Sequence, residues 1–102
     1  MRYQLVVQFQ ASSMQDVDRL VALEEGLRGA LEGFAEVDGH DFGSGEFNVF
    51  VHTDEPKETF ERIREVVNRP QPERHMRAAY RDFDDERYTI LWPPTLKEFK
   101  LR

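Results

Sequence analysis

The sequence predicts an α+β domain with the element order β-α-β-β-α-β-β, and three observations carry that reading. Residues 3–10 alternate between two sets of side chains, as a half-buried strand does. Two stretches, one after Ser13 and one from Pro56, repeat apolar residues every three or four positions, the period of an amphipathic helix. Between them, Gly43-Ser44-Gly45 separates two alternating runs in the manner of a hairpin turn. With 102 residues the chain is read as one domain, 1–102, long enough for one core and too short for two.

The first strand places Tyr3, Leu5, Val7 and Phe9 on one face and Gln4, Val6, Gln8 and Gln10 on the other. Ser13, three residues before Asp16, is a serine N-cap for the first helix. That helix sets Leu20, Leu23, Leu27, Ala30, Leu31 and Phe34 on one stripe. Beside the stripe, Ala22, Gly26, Gly29 and Gly33 form a small-residue ridge. Either another backbone packs against this ridge, or Gly33 ends the helix and the other glycines are merely tolerated at roughly 1 kcal/mol each. Residues 36–42 and 46–53 form the hairpin. Asp54 or Thr53 caps the second helix, Pro56 falls in its first turn, and Pro56, Phe60, Ile63 and Val67 share its apolar stripe. The run Asn68-Arg69-Pro70-Gln71-Pro72 stops it. Strands at 76–83 and 87–92 follow, turning at Asp84-Asp85-Glu86, and a basic tail from 95 to 102 carries Leu96, Phe99 and Leu101.

Composition narrows the function. Hydrophobic residues make up 39%, aromatic residues 12% and charged residues 33% of a chain without cysteine, which excludes disulfides and thiolate metal sites. The first eight residues lack the apolar run of a signal peptide, and no segment reaches membrane-spanning length, so a cytoplasmic protein is expected. A formal charge of −6 argues against a nucleic-acid partner, because neutralising phosphates needs a cationic surface. Charge is unevenly placed: residues 38–61 hold seven acids and one lysine, residues 62–81 six arginines and two glutamates.

The order β-α-β-β-α-β is that of two split βαβ units, the ferredoxin-like arrangement, with an additional C-terminal edge strand and two helices on one face of an antiparallel sheet. Leu5, Val7, Phe9, Phe47, Val49 and Val51 would face the helices, leaving the other face for function. Hairpin register decides what that open face carries. A three-residue turn pairs Phe42 with Glu46, His40 with Asn48 and Asp38 with Phe50, and so puts Asp38, His40, Phe42, Glu46, Asn48, Phe50 and His52 there together. A two-residue Ser44-Gly45 turn sends Asp38, His40 and Phe42 toward the helices instead. The three-residue turn is expected, since buried Asp38 and His40 would need partners that the sequence does not reveal.

Three functions compete for such a face. His40 and His52 with Asp38, Glu46 or Asp54 offer metal ligands or acid–base groups, although the spacing matches no ligand signature such as His-x-x-x-His. Gly45-Glu46-Phe47-Asn48-Val49-Phe50-Val51 follows the outline of an RNA-recognition strand, but lacks its leading basic residue and puts Glu46 where an aromatic should stack. Finally, Phe42, Phe50 and Val6, with Tyr80 or Trp92, would make an apolar patch rimmed by acids, the mark of an interface unless the tail covers it.

The run from Gly43 to Asp54 followed by Pro56 resembles small stand-alone bacterial proteins without an assigned activity, and the general shape resembles single-domain immunity-type proteins that block a toxin by binding it. The resemblance covers the middle third of the chain and brings no functional residues. It supports the fold and little more; the apolar patch makes a non-catalytic module that binds a protein partner or pairs with itself, with no cofactor and no metal, the leading expectation. The alternative is a small enzyme or metal-binding protein built on His40 and His52.

Overall fold

The computed structural model describes residues 1–68 and 75–101. It is an α+β structure of seven elements: β1 (Tyr3–Gln10), α1 (Met14–Ala30), β2 (Glu36–Gly43), β3 (Glu46–Thr53), α2 (Pro56–Val67), β4 (Arg77–Asp82) and β5 (Thr89–Trp92). The strands form one sheet in the order β2-β3-β1-β4-β5, every neighbouring pair antiparallel.

The strands place their apolar residues by alternation. Leu5, Val7 and Phe9 lie opposite Val51, Val49 and Phe47, all without solvent exposure. These six belong to one buried cluster with Leu20, Leu27 and Leu31 near or in α1 and Phe60, Ile63 and Val67 of α2. This is the core side of the sheet. The other alternation set starts a second cluster of Val6, Ala79 and Phe99, against which Phe50, Tyr88, Ile90 and Leu96 pack. Thus the tail from Thr95, which the sequence left as basic and irregular, covers the middle of the far side.

Local chemistry sets the helix limits. Ser13 Oγ accepts the Asp16 N–H at 3.1 Å, while the Asp16 carboxylate accepts the Ser12 N–H at 2.9 Å, satisfying two amides at the start of α1. Regular helix ends at Ala30 rather than Phe34, and Gly33 takes a φ of +80°. No atom of the described residues lies within 4 Å of where a Cβ would stand on Gly26, Gly29 or Gly33, so no other element of this chain packs on the ridge.

The cap of α2 differs from expectation. Glu55 is the capping residue and makes no side-chain cap, whereas Asp54 accepts the Arg2 N–H at 2.9 Å. Thr53 Oγ1 accepts the Glu55 N–H at 2.9 Å and lies 2.7 Å from Thr59 Oγ1, so a pair of buried hydroxyls braces the entry to the helix. Pro56 is in the first turn. Asn68 caps the other end; the expected stop at Arg69-Pro70-Gln71-Pro72 lies outside the described residues.

Candidate functional site

The hairpin closes with a two-residue turn, which corrects the expected register. Ser44 and Gly45 have φ values of 54° and 77°, the double positive combination of a type I′ turn, whose twist matches that of the flanking strands. Gly43 therefore pairs Glu46, Phe42 pairs Phe47, Asp41 pairs Asn48 and His40 pairs Val49. Since Phe47 and Val49 are core-side residues, Phe42 and His40 join them there and leave the open face. Near Asp38 the ladder shifts by one residue, so that Gly39 faces Phe50 while Val37 faces Val51 and Glu36 faces His52. This bulge adds Asp38 to the strand and keeps its carboxylate on the His52 side.

The seven expected residues consequently divide into separate groups. His40 stacks on Phe47 at 4.6 Å between ring centroids, and its Nδ1 donates to Glu24 Oε1 at 2.6 Å. Glu24 is a buried acid on α1, 3% exposed, and its second oxygen accepts from Arg28 at 3.3 Å. Arg28 in turn donates to the Val37 carbonyl at 2.7 Å. These bonds clamp β2 to α1 and supply the partner that the sequence did not reveal. Its signal was present: Glu24 falls four residues after Leu20 and three before Leu27, an acid within an apolar stripe.

On the far side, Asn48 is buried and Phe50 half-buried. Asn48 Oδ1 accepts from Gln8 Nε2 at 3.0 Å, and Asn48 Nδ2 donates to Asp41 Oδ1 at 2.9 Å. Gln8 and Asp41 were not singled out from the sequence. Phe50 packs with Val6, Ala79 and Phe99, so the expected apolar patch is covered by the tail; Tyr80 and Trp92, opposite Leu5 and Ala78, pack on the core side and do not contribute to it. Glu46 lies beside the turn, partly buried.

His52, half-buried, contacts the Phe83 ring edge-on at 4.9 Å, and its Nε2 is 3.8 Å from Asp38 Oδ2. With Glu36 these two residues offer three ligand atoms within 4.8 Å of one another. His40 and His52 occupy opposite sides of the sheet and do not converge on one ion. Asp54 is likewise absent from that group, being held by Arg2.

Two clefts open elsewhere. One, of about 450 Å³, lies between the end of α1 and the start of β2, and the other, of about 340 Å³, lies where Tyr3 and Tyr80 meet the start of α2. None of the seven residues lines either of them. On α2, Arg62 and Arg64 pair with Glu58 and Glu61 along their own helix and lie over the rings of Phe34 and Trp92. The acids of β2 thus have no counterpart there.

Comparison with family models, curated proteins and solved structures finds no match to the chain. No helix among the described residues is long and apolar enough to cross a membrane.

Proposed function

We propose that the protein is a non-catalytic binding module of immunity type, which takes a basic protein partner along the exposed edge of β2. The fold that presents this edge is inferred to be ferredoxin-like with an added edge strand. The spatial order β2-β3-β1-β4 and the sharing of one buried cluster by both helices support that inference.

One observation carries the functional reading. β2 is an eight-residue strand at the sheet margin with no lysine or arginine; it carries Glu36, Asp38 and Asp41, all exposed, and Phe42 at 48% exposure. An edge strand leaves a row of backbone donors and acceptors for another chain, and acids along it select the chain's charge. A second copy would bring the same acids to the same edge, so a basic partner fits better than self-pairing.

The test is copurification of tagged protein from its native source at two salt concentrations. A basic protein should elute with the wild type, and an Asp38→Lys/Asp41→Lys variant should bind it at least tenfold more weakly. Phe42→Ala should shorten the lifetime of the complex. Equal binding by the edge variants would refute the reading.

Glu36, Asp38 and His52 support a second reading, a divalent metal site with two carboxylates and one imidazole. Calorimetric titration of untagged protein with Zn²⁺ or Mn²⁺ should then show one site that His52→Ala removes. Equal heats for the two proteins would dismiss it.

A further inference from the structure

We infer that the far side of the sheet is a peptide-binding groove, held in this structure by the chain's own C-terminal segment, and that its exchangeable occupant is a basic peptide with an aromatic anchor. This reading shares only Asp41 with the β2 edge, and its test leaves that residue unchanged. It starts from two buried amides. Gln8 and Asn48 are 2% and 1% exposed on a sheet face where the neighbouring residues Val6 and Ala79 are apolar. Polar side chains persist in such a place when every bond they make is needed. One Gln8 Nε2–H goes to Asn48 Oδ1, and Nε2 also donates to the backbone carbonyl of Lys100 at 3.1 Å. The amide pair therefore recognises main chain, a feature common to any peptide.

Side-chain recognition lies one residue earlier. Phe99 is 8% exposed, against Val6 and Ala79, with the Tyr88 ring 5.1 Å away and Phe50 and Ile90 alongside. Leu96, three residues before it, packs on the same cluster. Asp41, bonded to Asn48, puts an acid at the rim of the amide pair, and the segment, although Lys100 pairs with its own Glu98 at 3.3 Å, carries more cations than acids, with Lys97, Lys100 and Arg102 against Glu98. The required chemistry is an aliphatic residue, two intervening residues, an aromatic residue and flanking cations.

The segment is attached in a way that permits exchange. Residues 96–101 have no helix, strand or turn, and among the described residues no backbone–backbone hydrogen bond ties 97–101 to a strand. The attachment consists of the Phe99 and Leu96 side chains and one carbonyl. A tethered segment competes at an effective concentration on the order of millimolar, so a free peptide should bind far better once the tethered anchor is weakened.

The probe is a fluorescein-labelled peptide spanning residues 95–102, titrated into the full chain by anisotropy. Phe99→Ala protein should bind it saturably, and wild type at least tenfold more weakly. A peptide with alanine in place of the phenylalanine should not bind, and Gln8→Ala in the Phe99→Ala background should weaken binding several-fold. Absence of binding to folded Phe99→Ala protein would overturn the inference. So would a wild-type dimer at micromolar concentration by sedimentation that Phe99→Ala or Gln8→Ala dissociates, because the groove would then belong to a second copy. If Phe99→Ala fails to fold, limited tryptic digestion of the wild type decides. Cleavage after Lys97 should proceed through an opening that leaves the rest of the chain intact; cleavage only with global unfolding would make the segment a fixed part of the core.

Discussion

His40→Ala should destabilise the protein by about 2–3 kcal/mol, and the origin of that figure separates a structural histidine from a functional one. The substitution removes a hydrogen bond of 2.6 Å to a carboxylate whose side chain is only 4% exposed. Bonds to charged groups contribute about 1.5–3 kcal/mol, and a buried acceptor stripped of a partner keeps its desolvation penalty. Loss of the stack on Phe47 adds about 0.5–1 kcal/mol, at the lower end for ring pairs because the imidazole is one-third exposed. Arg28 stays on the other carboxylate oxygen, which keeps the total below the cost of a fully orphaned buried charge.

Glu24→Leu has a different consequence. It removes the buried charge, continues the stripe of Leu20, Leu27 and Leu31, and leaves His40 able to rehydrate, so its cost should stay under about 1 kcal/mol. Arg28 retains its bond to the Val37 carbonyl. Urea unfolding of the wild type, both single variants and the double variant should give a coupling energy of about 1.5–2 kcal/mol. If His40→Ala shifts stability by less than about 0.5 kcal/mol while Glu24→Leu costs more than about 2 kcal/mol, the acid holds some other group and the clamp is wrong.

Three further outcomes follow from the same structure. Gly45→Ala should cost about 1–2 kcal/mol, because a Cβ there meets nothing nearer than the Ala11 carbonyl at 4.0 Å and the penalty is one of backbone conformation. Gly43→Ala should cost much less, and the reverse ranking in urea unfolding would restore the three-residue turn. Gly26→Ala and Gly29→Ala should each raise stability by about 0.5–1 kcal/mol, since both stand in open space within a helix; a loss would show that some backbone does pack on that ridge. Asp16, Asp82 and Asp85 are held below their ordinary value of 3.8, first of all by the Ser12 N–H, the Asp84 N–H and the Arg87 side chain respectively. Acids with a depressed folded pKa stabilise above 3.8 and lose that contribution as pH falls through the folded value. Asp16→Asn should therefore flatten the acid limb of stability below about pH 4, and an unchanged limb would remove Asp16 from this account.

Much of the fold was legible because the periods in the sequence are strong. β1 and β3 have the limits that alternation assigns, and α2 starts at the proline that its first turn accommodates. Where boundaries moved, a local bond moved them. The sequence pattern places Arg87 in a strand, but its N–H and guanidinium both bind Asp85, which holds it outside the strand and delays β5 to Thr89. The candidate site was less legible, since it depends on contacts between elements distant in sequence. Gln8 meets Asn48 forty residues away and Lys100 ninety-two residues away, and no spacing rule encodes either meeting.

The hairpin shows how one residue redistributes the chemistry. Val37 is 5% exposed and lies on the core side, as does His40, tied there to Glu24. They are three positions apart, and strict alternation would put them on opposite faces. Both can lie on the core side only if an extra residue enters between them, and that residue is Asp38. The bulge returns Glu36 to the face of His52 and sends Asp38 to join them, so the burial demand of Val37 also assembles the group of two acids and an imidazole. The same parity separates the two histidines, each beside a different acid. A single site using both, plausible from their twelve-residue separation alone, would need His40 to leave Glu24 and β2 to reverse its faces, exposing Val37 as it did so.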